Sequence, residues 1–345
     1  MEILLFVASI VLVLILCGSL YQAIATAIDR RKFPPPGRVF DVSGCRLHLI
    51  DSGPCAPAVI FESGISASCL NWTRVRTEVS LFARACSYDR AGLGWSERAT
   101  TPRVTTRIVE ELRALLAEAK IPSPYVLVGH SFGGLLVGAY AARYPEEVAG
   151  LILVDPLPAG EWLNPPAPHS RMLRRGVGLA RRGALLARIG VVRLSLGLLT
   201  GGARRIPKGI AKLTSGAGET LISRLVGEVQ KMPRETWPII QAHWSQPKSF
   251  LAMADYLEAL PASSAEAASL GPLPPVPVTI LSAGHSTPAQ LAERDQLARH
   301  SPNGRHIVAA QSGHWIQLDQ PELVIQSIRD MVFELSGNGG SSRAL

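Results

Sequence analysis

The first twenty residues hold the longest apolar run in the chain. Residues 3–20 read ILLFVASIVLVLILCGSL without a charge. As a helix this stretch spans roughly 27 Å, close to the ~30 Å hydrocarbon core of a bilayer. Asp29-Arg30-Arg31-Lys32 and Pro34-Pro35-Pro36-Gly37 follow it. The pattern predicts a transmembrane anchor over 1–32 and then a stiff linker. Beyond it, period-2 and period-3.6 patterns alternate. A hairpin is expected over 38–42 and 46–50, joined at Ser43-Gly44, and a buried strand over 58–62. Helical spacing covers 70–82, 104–119, 132–143, 289–300 and 321–335. Further strands are expected at 83–88, 125–129, 150–154, 276–281 and 305–310. Strands alternating with helices predict an α/β fold with a mostly parallel sheet covered on both faces. Its halves would be 33–156 and 274–336. The intervening 157–273 has no convincing strand and reads as an inserted helical cap, and the small-residue segment 337–345 reads as a flexible tail.

Composition changes this picture in two places. Hydrophobic residues make up 47% of the 345 residues and charged residues 18%, which suits a packed core and excludes a disordered chain. Net charge is +8, yet 163–218 alone carries eleven Lys or Arg and no Asp or Glu. Within it, 171–199 mixes Arg with Leu, Val and Ile at helical spacing. Such a helix could lie in an anionic bilayer interface, or could pack its aliphatic side on the protein and leave its arginines in water. Nucleic-acid binding is not expected, because no recognised binding fold accompanies the basic segment.

The five cysteines, Cys17, Cys45, Cys55, Cys69 and Cys86, form no C-x-x-C pair. A zinc site or a disulfide framework is therefore not expected, although a single Cys45–Cys55 bridge is conceivable in an oxidising compartment. Ala25-Thr26-Ala27 resembles a signal-peptide cleavage site, so secretion after cleavage is the alternative to an anchor. Against cleavage, the stretch before the apolar run carries Glu2 and no Lys or Arg. A lipoprotein site at Cys17 is disfavoured by Leu16 before it. The basic flank after the helix points to a cytoplasmic catalytic domain.

Gly129-His130-Ser131-Phe132-Gly133 sits between a strand and a helix. A serine on such a sharp turn has its hydroxyl pushed out at a helix N-terminus, where free N–H groups favour developing negative charge. Ser131 is the candidate nucleophile. It needs a base, and His314 in Ser312-Gly313-His314-Trp315, directly after the last strand, is placed to supply one. The other histidines fit strands, helices or the cap, and His130 is expected to point away from the turn. The base needs an acid. Asp155 follows the strand LILV, whereas the loop after 276–281 offers no carboxylate before Glu293 and Asp295 inside a helix. Asp155 is the preferred acid, with Asp295 and Glu293 as alternatives. The oxyanion donors are expected to be the backbone N–H groups of Phe132 and of Ile65, in Ser63-Gly64-Ile65.

These residues in this order resemble the α/β-hydrolase superfamily. Tyr88-Asp89-Arg90-Ala91-Gly92-Leu93-Gly94-Trp95-Ser96 is similar to the family's D-x-x-G-x-G-x-S stretch, and Ser312-Gly313-His314 through Gln320-Pro321-Glu322 to its histidine loop. The resemblance covers about 39–333 outside the cap. It implies eight strands, chain order Ser–acid–His, and no metal or organic cofactor. Two departures stand out: Ser63-Gly64 where many relatives have His-Gly, and no acid after the seventh strand. Dehalogenases and epoxide hydrolases of this fold need an aspartate where Ser131 stands. The expected activity is a serine hydrolase cleaving a carboxylic ester or related acyl bond through an acyl-enzyme, on a small apolar or membrane-derived substrate. Thioester, amide or carbon–carbon hydrolysis, acyl transfer, perhydrolysis, ligand binding without turnover and a purely structural membrane role are the alternatives.

Overall fold

The computed structural model describes residues 1–54, 57–200 and 229–338. The Cys45–Cys55 pairing therefore falls outside the described residues, as does the tail from 339. The chain forms two compact units. One joins Met1–Pro35 to Arg171–Asp255, and the other joins Pro36–Ser170 to Tyr256–Leu345. These divisions fall at different residues from the 157–273 segment expected as a cap.

The second unit is built on eight strands: β1 (Arg38–Val42), β2 (Cys45–Ser52), β3 (Ala58–Glu62), β4 (Arg84–Asp89), β5 (Tyr125–His130), β6 (Val148–Val154), β7 (Val278–Ala283) and β8 (Arg305–Ala309). Their order is β1-β2-β4-β3-β5-β6-β7-β8. The sheet is mixed, since β2 runs antiparallel to its neighbours β1 and β4, while β3 to β8 all run parallel to one another. Side chains of a strand alternate between faces, and the two cores follow that alternation. Ile60, Leu127, Leu151 and Ile280 point to one face, with Leu112 and Leu115 of α3 (Thr105–Glu118) and Tyr140 of α4 (Phe132–Arg143). Phe61, Val128, Ile152 and Leu281 point to the other, with Val75 of α2 (Thr73–Val79) and Ile328 of a long C-terminal helix, Pro321–Asn338. That last helix runs two residues into the expected tail. Register pairs Glu62 with Gly129 and His130 with Val154, so the loops leaving β3, β5 and β6 emerge on one edge.

In the first unit, α1 covers Glu2–Lys32 and is long and apolar enough to cross a membrane, with mean hydropathy 3.0 in its most apolar window. The short helix α5 (Ala159–Leu163) belongs to the second unit; most of α6 (Ala167–Arg188), then α7 (Val191–Thr200) and α8 (Trp237–Trp244), belong to the first. One face of α6 packs on protein. Leu173, Val177, Ala180, Ala184 and Ala187 are buried, and Arg171, Arg174, Arg175, Arg182 and Arg188 are exposed. Met172 and Leu185 of the same helix remain exposed, so part of its apolar surface is not covered by protein. One side of the second half of α1 packs on its own unit, with Gln22 buried. A Cβ on Gly18 would lie 2.4 Å from the Ile189 carbonyl oxygen, so only glycine permits that approach. Arg193 donates to Gln22 at 2.9 Å and to Asp29 at 2.5 Å, and Gln22 donates to the Ser245 carbonyl at 2.8 Å.

Candidate active site

Ser131 ends the central strand β5 at φ 55° and ψ −120°. A non-glycine residue there stores on the order of 1–3 kcal/mol of strain, and the surroundings enforce it. The Ser131 N–H donates to the Val154 carbonyl at 3.0 Å, and the Ser131 carbonyl accepts from Gly134 at 2.9 Å and Leu157 at 3.0 Å. A Cβ on Gly133 would sit 2.4 Å from the Glu62 carbonyl oxygen, which is why the helix can start this close to β3. Phe132 is the first residue of α4, so its N–H is free of intrahelical bonding, as at any helix start.

The next loop carries the candidate acid. Asp155 follows β6 with φ 40°, its N–H bonded to the Leu281 carbonyl at 2.7 Å. One carboxylate oxygen, Oδ2, lies 2.6 Å from His314 Nδ1. The other, Oδ1, accepts from Arg294 at 2.8 Å and from the Ala283 N–H at 3.2 Å. Burial alone would raise this carboxyl. The bond to His314 and the charge of Arg294 outweigh it and hold the pKa at about 2. Asp155 is therefore a carboxylate at neutral pH, and His314 Nδ1 must carry the proton it donates.

His314 itself is 43% exposed at the side chain. Its carbonyl accepts from His130 Nε2 at 2.8 Å, and the two rings are 4.7 Å apart. His130 was expected to point away from the turn. It instead fills the space between the histidine loop and Gly64, whose missing Cβ would lie 2.9 Å from His130 Nδ1. Burial, then the neighbouring His314, lower its pKa to about 3, so it is neutral. The structure thus gathers His314, Asp155 and the Ser131 turn at one edge of the sheet. The Gly64 position approaches Ser131 Cβ as well, at 3.5 Å from that missing Cβ, which puts the Ile65 loop beside the serine. The alternative acids are not brought to His314. Asp295, in the helix Pro288–Arg299, binds His306 Nδ1 at 2.5 Å. That sequence position faces the next strand of the sheet.

Sequence reasoning missed the buried groups behind these loops. Arg90 donates to the carbonyls of Ser63 at 2.5 Å and Gly64 at 2.6 Å and pairs with Glu62, which also accepts from Tyr88. Its guanidinium lies over the rings of Phe132 and Tyr256. The loop of Ile65 is thereby fixed from beneath. Asp89 of the same motif accepts from His48 Nδ1 at 2.8 Å, the Cys69 N–H at 2.8 Å and the Trp95 N–H at 3.1 Å. His48, Cys69 and Asp89 lie close enough together to bracket a metal ion. With the Asp89 oxygens already accepting from these groups, the donor set fits a hydrogen-bonded lock on the loops better than a metal centre.

A family model described as alpha/beta hydrolase fold matches residues 57–197. The chain is an α/β-hydrolase-fold protein. The chain is 29% identical over 120 residues to the Bacillus subtilis protein YqjL, a match covering 34% of this chain and 47% of that one. It is 34% identical over 112 residues to the (lyso)-N-acylphosphatidylethanolamine lipase of Bos taurus, covering 31% of each chain. The matches thus span less than half the length of either relative. Among solved structures, an esterase from Thermogutta terrifontis superposes with TM-score 0.55 at 21% identity, over 87% of this chain and 99% of that one. At that identity the likeness is one of fold.

Proposed function

We propose that this protein is a membrane-anchored serine hydrolase acting on a carboxylic ester or related acyl bond of an apolar, membrane-derived substrate. The reading is carried by one observation: an ionised, buried Asp155 bonded to His314 Nδ1 at 2.6 Å, on the loop after the strand next to the one that ends in a serine held at positive φ. That bond leaves His314 Nε2 as the basic nitrogen. His314 takes the Ser131 proton as Oγ forms a bond to the acyl carbon. The N–H groups of Phe132 and Ile65 hold the oxyanion. Collapse breaks the bond to the leaving alcohol, which receives the proton from His314. Water, deprotonated by His314, then attacks the acyl-enzyme and Ser131 regains its proton. The bovine relative's name as a lipase supports an acyl substrate. The anchor is α1, whose basic flank favours a cytoplasmic catalytic unit. Labelling with a fluorophosphonate probe tests the assignment. Wild-type protein should label and Ser131→Ala should not, with circular dichroism unchanged. Full labelling of Ser131→Ala would remove Ser131 from the role.

A further inference from the structure

The acid of the proposed triad has a second charged partner that the reaction scheme does not use. Arg294 Nη1 reaches Asp155 Oδ1 at 2.8 Å, Ser282 Oγ at 2.9 Å and Ser286 Oγ at 3.1 Å, and Nη2 donates to the Pro156 carbonyl at 3.0 Å. Arg294 is buried, as is Ser282. Ser282 Oγ in turn lies 2.7 Å from His306 Nε2, and His306 Nδ1 lies 2.5 Å from Asp295.

With a neutral imidazole at His306, the directions of these bonds follow from counting protons. An arginine only donates, so Ser282 Oγ accepts from Arg294 and its own proton is left for His306 Nε2. His306 then accepts at Nε2 and donates from Nδ1 to the Asp295 carboxylate. The line reads, from surface to site, Asp295, His306, Ser282, Arg294, Asp155, His314. A serine, histidine and aspartate bonded in this way look like a second catalytic set, but Ser282 is fully buried and cannot meet a substrate. The set ends on a guanidinium instead of a reactive carbonyl.

We propose that Arg294 is a positioning residue of the reaction, fixing and partly neutralising the Asp155 carboxylate, and that Ser282, His306 and Asp295 hold Arg294 in place. The proposal rests on the assignment of Ser131, His314 and Asp155 above. Two consequences separate it from a merely structural role. With Oδ1 committed to Arg294 and Ala283, only Oδ2 is free for His314, so the imidazole has one orientation. The fixed positive charge also weakens the pull of Asp155 on an imidazolium at His314. The charged and titratable groups facing this pair are Arg294, His130 and the pair itself, and His130 is neutral. Without Arg294 the imidazolium would be better stabilised, and the pH at which the base becomes active would rise.

The test is hydrolysis of a p-nitrophenyl ester by the full chain in detergent, with kcat and KM followed against pH. Arg294→Gln should lower kcat by about 10²-fold, as a loosened acid misplaces the base, with KM nearly constant. Its acidic limb should move to higher pH. Arg294→Lys keeps the charge but not the fork, so it should lose kcat while leaving the limb in place. His306→Gln and Ser282→Ala should show the same kcat loss in weaker form. Arg294→Gln with wild-type kcat and an unmoved limb would overturn the proposal. If Arg294→Gln does not fold, an Arg294→Lys enzyme with unchanged kcat would do so equally. Wild-type kcat in Ser131→Ala would mark failure of the underlying assignment instead.

Discussion

Asp155→Asn is a one-atom change whose consequence follows from the hydrogen bonds around the carboxylate. Oδ1 accepts from Arg294 and from the Ala283 N–H, so that position can only be filled by the amide oxygen of an asparagine. The amide NH2 is then forced towards His314 Nδ1, 2.6 Å away in the parent. An NH2 donates, so Nδ1 must accept, and the imidazole proton moves to Nε2. That tautomer cannot take a proton from Ser131. The expected loss is ~10⁴ in kcat at neutral pH, the size seen when a triad imidazole is held in the wrong tautomer. It corresponds to about 5 kcal/mol of barrier. Burst and steady-state kinetics with a p-nitrophenyl ester measure it, and ¹⁵N shifts of His314 report the tautomer directly. KM should barely change, because nothing that touches the substrate is altered. An Asp155→Asn enzyme retaining kcat within tenfold of wild type would refute the argument and return the search to Glu293 and Asp295.

The remaining predictions follow from other contacts. His130 has a folded pKa of about 3 against an ordinary 6.5, so the unfolded chain binds the proton more readily between those values. Stability should therefore fall as pH drops from 6.5 towards 3, and urea titrations of His130→Gln should show a flatter fall over that window. Gly133→Ala places a methyl 2.4 Å from the Glu62 carbonyl oxygen, so backbone must shift. We expect a loss of about 1–3 kcal/mol in denaturant titration and weaker fluorophosphonate labelling. Arg193→Met leaves Asp29 without its cation and should cost about 3–5 kcal/mol, while Arg193→Met with Asp29→Leu should recover part of that, read from thermal unfolding in detergent.

Local patterns carried most of the fold. The runs at 58–62 and 125–129 are legible because buried parallel strands need unbroken apolar residues. β6 begins at Val148, two residues before the expected strand, and a Cβ on Gly150 would sit 2.5 Å from Met331 Sδ. The helix expected over 70–82 is shorter, a 3-10 turn at Cys69–Trp72 and then α2. The serine turn and the histidine loop were readable because each needs its neighbours in sequence. Asp155 could be reached only by noting that the loop after β7 lacks a carboxylate. Arg294 lay beyond such reasoning: it stands between Glu293 and Asp295 on a polar helix, and nothing local says that this one side chain turns inward. The same limit applied to α6, whose period shows two faces without showing which is covered.

One feature of α1 bears on how the protein matures. Gln22, Thr26 and Asp29 are the partners of Arg193, and Gly18 receives the Ile189 backbone. A peptidase cutting behind Ala27 would carry off Gln22 and Thr26 and expose the groove where Gly18 had rested. Its product would hold a half-satisfied guanidinium against a bare helical corner. The leader, in other words, doubles as a strut, and trimming it would be an act of partial unfolding.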